Sequence, residues 1–147
     1  MDDIIQIELP QVTDIVPLLD SYRVFYGQSS NIPAAASFLN ERIKNRESII
    51  FASYKDGLAV GFVQLYFTFS SVTLEPSLIL NDLFVDPKYR NKNIGQGLLL
   101  KAQEYCTKHK YKGLALETAI DNPAQNLYEK LGWKKDVHCF HYFWSVK

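Results

Sequence analysis

Between Val85 and Leu100 the sequence reads Val-Asp-Pro-Lys-Tyr-Arg-Asn-Lys-Asn-Ile-Gly-Gln-Gly-Leu-Leu-Leu. An apolar strand ends at Val85, a short loop carrying Lys88, Arg90 and Lys92 follows, and an amphipathic segment opens near Ile94. The start of a helix offers unpaired backbone N–H groups and the positive end of its dipole. Three cations beside such a start make a site for an anion, and a phosphorylated ligand is the chemistry this stretch suits first. It also partly matches a dinucleotide fingerprint, since Gly95-x-Gly97 follows a strand and Glu117 lies about twenty residues on. The third glycine of that fingerprint is missing, Leu100 standing in its place, and no Walker sequence is present.

The elements that position this loop follow from hydrophobic period. Ile4, Ile5 and Ile7 form a short strand closed by Pro10, and a helix capped at Thr13 or Asp14 carries Ile15, Leu18, Leu19, Tyr22 and Tyr26 before Gly27 ends it. Pro33 opens a second helix that ends near Arg46. Residues 48–54 and 58–70 read as two strands joined at Lys55-Asp56-Gly57, the second with a face that turns polar and partly wet at Gln64, Tyr66 and Thr68. Leu78 to Val85 is apolar on both faces except at Asn81-Asp82, as in a central strand with a polar interruption. After the loop, Ile94, Leu98, Leu99, Ala102, Tyr105 and Cys106 form a helical stripe. A strand over 114–118, a short helix opened by Asn122-Pro123 and stopped at Gly132, and an aromatic, alternating hairpin from Trp133 to Val146 complete the chain. Hairpin-linked strands precede β–α–β units, so the sheet is expected to be mixed, antiparallel first and parallel around the loop.

At 147 residues the chain has the size of a single domain, spanning 1–147, with one core of two or three layers. No run approaches about 18 consecutive apolar residues, and Met1 to Ile5 lacks the regions of a signal peptide, so a cytoplasmic location without a membrane partner is expected. Two cysteines, Cys106 and Cys139, are too few for a disulfide framework. Together with His109, His138 and His141 they do not match structural zinc spacings, so no metal is expected. The net charge is zero, and no nucleic-acid partner is expected, yet residues 1–85 are net −5 and residues 86–147 net +5. One half suits a cation and the other an anion.

The run Arg90-Asn91-Lys92-Asn93-Ile94-Gly95 resembles the Arg/Gln-x-x-Gly-x-Gly/Ala signature of the GCN5-related N-acetyltransferase (GNAT) family. Asn93 stands where glycine is usual, and asparagine tolerates a left-handed backbone better than most residues. The resemblance extends to Ser21–Gly27, to Leu80-Asn81-Asp82-Leu83-Phe84-Val85, and to Asn122-Pro123-Ala124-Gln125-Asn126-Leu127-Tyr128-Glu129-Lys130-Leu131-Gly132-Trp133. It implies the α/β GNAT fold: a mixed, mostly antiparallel sheet of about six or seven strands, about four helices, and a V-shaped splay between the two central strands. It further implies acetyl-CoA, its pyrophosphate held by main-chain N–H groups of Asn91, Lys92, Asn93, Ile94, Gly95, Gln96 and Gly97 beside Arg90, and its pantetheine along Leu83, Phe84 and Val85. A bulge near Asn81-Asp82 would splay the strand from its neighbour and admit the thioester.

Acetyl transfer to an alkylamine needs a base. At pH 7 an amine of pKa about 10.4 is neutral in fewer than about one molecule in a thousand, and deprotonation costs about 4.6 kcal/mol. The departing thiolate gains from a proton donor. By resemblance Tyr128 is that general acid, although it also lies on the apolar face of its helix. Diamine acetyltransferases of the family carry Glu-Asp where this chain has Asn81-Asp82, so Asp82, directly or through water, is the base or the holder of a cationic substrate, with Glu117 in reserve. The Asn-Asp-Leu run resembles the branch of yeast histone and polyamine-type acetyltransferases, which implies a primary amine on a small molecule or peptide. Asn122 reads as a helix cap and, by resemblance, as a CoA contact. Tyr22, Tyr26 and Glu75 are candidates for the acceptor pocket, where aromatic faces and acids suit an ammonium. The aromatic tail Phe140-His141-Tyr142-Phe143-Trp144 suggests a homodimer interface. A non-catalytic acyl-CoA-binding module and a dinucleotide enzyme are the alternatives.

Overall fold

The computed structural model describes residues 3–146, leaving Met1, Asp2 and Lys147 outside the description. The chain groups into two compact units, Met1–Glu117 and Thr118–Lys147.

The first unit is built on a five-stranded sheet in sequence order: β1 (Asp3–Gln6), β2 (Ser48–Lys55), β3 (Leu58–Ser70), β4 (Glu75–Val85) and β5 (Leu114–Ala115). The first three pairings are antiparallel and the last is parallel, the mixed sheet that the order of elements implies. Between β2 and β3 the chain turns on Asp56 and Gly57, both at positive φ, as a two-residue hairpin of primed type requires.

Helices α1 (Val12–Phe25) and α2 (Ile32–Lys44) cover one face of this sheet. Ile15, Leu18, Leu19 and Leu39 form a single buried cluster with Ile50, Ala52, Phe62 and Phe84 of the strands. Helix α3 (Ile94–Lys108) covers the other face, burying Ile94, Leu98, Leu99, Ala102 and Cys106. Gly27 ends α1 at φ +88°, with its N–H donating to the Val24 carbonyl and that of Gln28 to the Arg23 carbonyl, which is the Schellman arrangement.

Two irregularities shape β4. The register with β3 shifts between Gln64/Asp82 and Leu65/Leu80, so Asn81 is an extra residue opposite no partner. Such a bulge reverses which side of the sheet the following residues face. Leu78 and Leu80 therefore lie with Phe67 and Leu65 on the α3 side, while Asp82 and Phe84 lie with Gln64 and Phe62 on the α1 side. The second irregularity is brevity of pairing: β5 meets β4 only at Leu78/Leu114 and Ile79/Ala115. From Leu80 onward the two strands run unpaired, which is the expected splay.

The second unit contains α4 (Gln125–Lys130), preceded by turns over 119–124. Among the described residues the four α-helices match expectation. Among the described residues, however, no strand forms over Trp133 to Val146, and the sheet has five strands rather than six or seven. An alternating segment becomes a strand only when its backbone groups find a partner edge. Phe140, Tyr142, Phe143 and Trp144 are instead at least 80% exposed.

Candidate active site

The bulge presents Asp82. Its residue is 5% exposed, yet among the described residues no Lys, Arg or His pairs with its carboxylate. Two carboxamides hold it instead: Gln64 Nε2 donates to Oδ2, and Asn81 Nδ2 donates to Oδ1 at 3.0 Å. Burial pushes the carboxyl above the usual carboxylate range, against the opposing pull of Gln64, Asn81 and Tyr22. An uncompensated carboxylate with a raised proton affinity is the kind of group that accepts a proton in a reaction.

Tyr22 closes the site from α1. Its hydroxyl donates to the carbonyl of the bulge residue Asn81 at 3.3 Å, and its ring packs edge-on against Phe62 and Phe84 at 6.2 and 6.0 Å. Tyr26 packs edge-on against Tyr22 at 4.9 Å and is 58% exposed, so the pair forms a wall leading from solvent to Asp82. The end of α1 is itself anchored, because Asp20 accepts from Ser30 Oγ at 2.6 Å and from the Asn31 N–H at 2.7 Å across the α1–α2 turn.

Sequence reasoning missed three neighbours. Gln64 was expected on a wet face and is fully buried beside Ile50 on the sheet face that carries the α1–α2 cluster. Tyr66, two residues on, lies close enough to Asp82 for the carboxylate to raise its hydroxyl; burial is the larger cause, and together they push it up to about 12. Arg42 of α2 also acts on Tyr66, while its guanidinium sits 4.7 Å from the Phe38 ring centre. The available signal was Gln64 itself, a polar residue within the apolar run Gly61 to Leu65.

The loop between β4 and α3 turns on two left-handed asparagines. Asn91 and Asn93 both adopt positive φ, at 61° and 63°, and Asn93 is the left-handed N-cap of α3. Its side chain makes no capping bond, so the first N–H groups of α3 are left to another acceptor. Asp86 Oδ1 accepts from the Lys88 N–H at 2.9 Å, and the Asp86 N–H donates to Val60 at 2.9 Å, fixing the loop to β3. Arg90 braces the same junction: Nε donates to the Val85 carbonyl at 2.9 Å and its guanidinium lies 5.4 Å from the Phe84 ring centre. Lys92 lies over Tyr89. Leu83, Phe84 and Val85 are the last residues of β4, with the side away from β3 beyond the pairing with β5.

The remaining candidates are placed as follows. Asn81 is the bulge residue and stands beside Asp82. Glu75 opens β4 at the hairpin end opposite Ser70, about 20 Å from Asp82 at a strand's rise per residue, and is not brought to the cluster. Glu117 is exposed and follows β5 where that strand has ceased to pair with β4. In the second unit, Asn122 is not the helix cap the sequence suggests: α4 starts two residues later, with Ala124 at its N-cap, and Asn122 Oδ1 accepts from the Ala124 N–H at 2.9 Å within the preceding turn. Tyr128 lies on α4 with its ring 6.0 Å from that of Trp133, and the Trp133 N–H donates to the Tyr128 carbonyl.

Residues 15–133, which span both units, match the model of the acetyltransferase (GNAT) family. An uncharacterized N-acetyltransferase of Bacillus subtilis, YhfO, is 43% identical over 133 residues, covering 90% of this chain and 89% of that protein. A probable acetyltransferase of Haemophilus influenzae is 29% identical over 128 residues, covering 78% and 88%. A solved structure of a probable acetyltransferase superposes with a TM-score of 0.92 at 31% identity, covering 99% of this chain and 98% of the other. The fold alone is shared with the aminoglycoside N-acetyltransferase AAC(6')-Iy in complex with CoA, at TM-score 0.80 and 20% identity over 99% and 96% of the two chains. The buried acid on a bulged, splayed strand and the left-handed loop ahead of α3 are therefore parts of an acyltransferase fold, and the chain belongs to the GNAT family of N-acetyltransferases.

Proposed function

We propose that the protein transfers an acetyl group from acetyl-CoA to a primary amine by direct attack, with Asp82 taking the amine's proton. The observation that carries this reading is Asp82: a buried carboxylate without a cationic partner among the described residues, its proton affinity raised by burial, with Tyr22 and Tyr26 beside it as faces for an ammonium. When bound, acetyl-CoA supplies the activated acyl group. The N–H groups of Asn91 to Gln96 would hold its pyrophosphate, that of Gly97 being already bonded to the Asn93 carbonyl at 3.0 Å, and the free side of Leu83 to Val85 would pair with its pantetheine. The uncapped start of α3 and the two left-handed asparagines fit an anion there. By resemblance Tyr128 would give its proton to the departing thiolate, and Asn122 holds the turn ahead of α4. Asp82 draws the proton directly or through one water, with Glu117 as the alternative base.

The acceptor is an alkylamine on a polyamine, a lysine-like small molecule or a basic peptide. Asn81 and Asp82 resemble the polyamine-type branch, and one relative is a protein named as a putative ribosomal-protein-alanine N-acetyltransferase. The cytoplasm is the place of action. The contiguous exposed aromatics Phe140, Tyr142, Phe143 and Trp144 support a homodimer interface at the tail. Sedimentation at micromolar concentration checks this: a dimer is expected, and a monomer alone contradicts it.

The deciding experiment follows thiol release from acetyl-CoA across polyamines, lysine analogues, aminoglycosides and basic peptides. One class of primary amine is expected to give saturable turnover. Tight acetyl-CoA binding without turnover on any of them would instead favour the non-catalytic acyl-CoA-binding reading. A thermal shift with NAD and none with acetyl-CoA would favour the dinucleotide reading.

A further inference from the structure

We propose that Gln64 is a positioning residue for Asp82, and that its carboxamide turns over as the Asp82 carboxyl gains and loses its proton. This rests on the reading of Asp82 as the base.

Gln64 lies directly across from Asp82 at the point where the strand register shifts, and it is fully buried. Its Nε2 donates to Asp82 Oδ2, while its Oε1 is buried with no hydrogen-bond partner. A buried acceptor without a donor is uncommon and calls for a reason. An ionised carboxylate only accepts, so a carboxamide facing it must present its NH2 group and leave its oxygen turned away. Once Asp82 takes a proton from the attacking amine, that oxygen becomes an O–H donor. A half-turn of the Gln64 carboxamide then brings Oε1 to the new donor, while the NH2 group takes the side that Oε1 has left. The terminal torsion of glutamine is broad and roughly two-fold, so the turn requires no movement of β3. One side chain thereby serves both protonation states, and Asn81 Nδ2 stays on Oδ1 throughout.

The groups facing Asp82 come from every packed element. Tyr66 adjoins it from β3, Tyr22 with Tyr26 behind it from α1, and Arg42 of α2 reaches Tyr66. β2 brings the neutral Ser48 and Ile50 opposite Tyr66 and Gln64. Burial holds the Tyr22 and Tyr66 hydroxyls above their ordinary range, so both remain neutral while Asp82 titrates.

The test compares the pH dependence of kcat/KM for the amine in the wild type, Gln64→Met, Gln64→Glu and Asp82→Asn, with acetyl-CoA affinity measured alongside. Methionine keeps the length and removes the donor that favours the carboxylate. The acid limb should then move up by about one pH unit, roughly a tenfold loss below it, with the alkaline plateau and acetyl-CoA affinity kept. Glutamate should move the limb further up, because two facing carboxyls share one proton. In the wild type the Gln64 side-chain amide ¹⁵N resonance should titrate with the midpoint of the acid limb, and it should not titrate in Asp82→Asn. An unmoved limb in both Gln64 variants, a uniform fall in rate at all pH values, or an amide that does not titrate overturns the inference. These failures differ from failure of the base reading itself, which shows as full activity and an intact acid limb in Asp82→Asn.

Discussion

Replacing Gly61 by alanine tests how the fold holds the loop proposed to bind acetyl-CoA. A Cβ at this position would lie 3.1 Å from the Phe84 carbonyl oxygen, 3.2 Å from Val85 Cγ2 and 3.3 Å from Ile94 Cγ2. Ordinary contacts are a few tenths of an ångström longer, so three neighbours must retreat together. One of them is backbone, and the other two are the last residue of β4 and the first of α3, the brackets of the anion loop. Overpacking of this kind costs roughly 1–3 kcal/mol, and the gain from a stiffer unfolded chain returns about 0.4–1 kcal/mol. A net loss of about 1–2 kcal/mol in a chain of 147 residues lowers Tm by roughly 2–8 °C. If about 1 kcal/mol of the distortion reaches the loop, acetyl-CoA Kd rises about fivefold. Calorimetric titration with acetyl-CoA and a thermal melt provide both numbers. Gly57→Ala is the control, because Gly57 has φ +79° and nothing near its Cβ: Tm should fall while Kd holds. Unchanged Tm and Kd in Gly61→Ala, or a Kd effect matched by the control, would refute the argument.

Other outcomes follow from the same geometry. Asn93→Gly should keep acetyl-CoA affinity and gain a few tenths of a kcal/mol in stability, whereas Asn93→Val should lose about 1–2 kcal/mol and weaken binding, since φ there is 63°; titration of both variants checks it. Tyr128→Phe should lower kcat severely while sparing acetyl-CoA affinity, and unchanged turnover removes it from the mechanism. Asp82→Asn should raise Tm at neutral pH. Because burial raises the folded carboxyl's pKa, its stability contribution is fully present below the unfolded value of about 3.9 and is lost as pH rises through the folded one. The advantage of asparagine should therefore vanish as melts are taken toward pH 4, and an advantage that grew on acidification would contradict the sign of the shift.

Much of this was legible in the sequence, and what was not has physical causes. Asp56-Gly57, Gly27 and the stripe from Ile94 to Cys106 declare themselves locally, because turn dihedrals and helical period depend on near neighbours. Asn93 was legible as a left-handed residue for the same reason. The face of Asp82 was not: Leu80, Asp82 and Phe84 alternate in phase, and only the bulge at Asn81 sends Leu80 to one side and Asp82 to the other. That depends on the partner strand. Gln64 looked like the start of a wet face, yet it is fully buried beside Ile50 on the sheet face that carries the α1–α2 cluster, a fact of packing that β3 alone does not carry. Glu75 had suitable chemistry, but the length of β4 places it at the far end. In the tail, alternation from Trp133 to Val146 suggested a hairpin that does not form among the described residues, since period 2 announces a strand without supplying an edge to pair with.

The central claim is that Asp82 takes the proton of an amine acetylated from acetyl-CoA. Its most direct test is the pH profile of kcat/KM for wild type and Asp82→Asn on the best primary amine found by screening, with acetyl-CoA affinity as the control. The wild type should show an acid limb above the ordinary carboxylate range. Asp82→Asn should lose about 10²–10⁴ in rate, the span of general-base catalysis, lack that limb and bind acetyl-CoA normally. An Asp82→Asn protein with wild-type rate and the same acid limb would contradict the account.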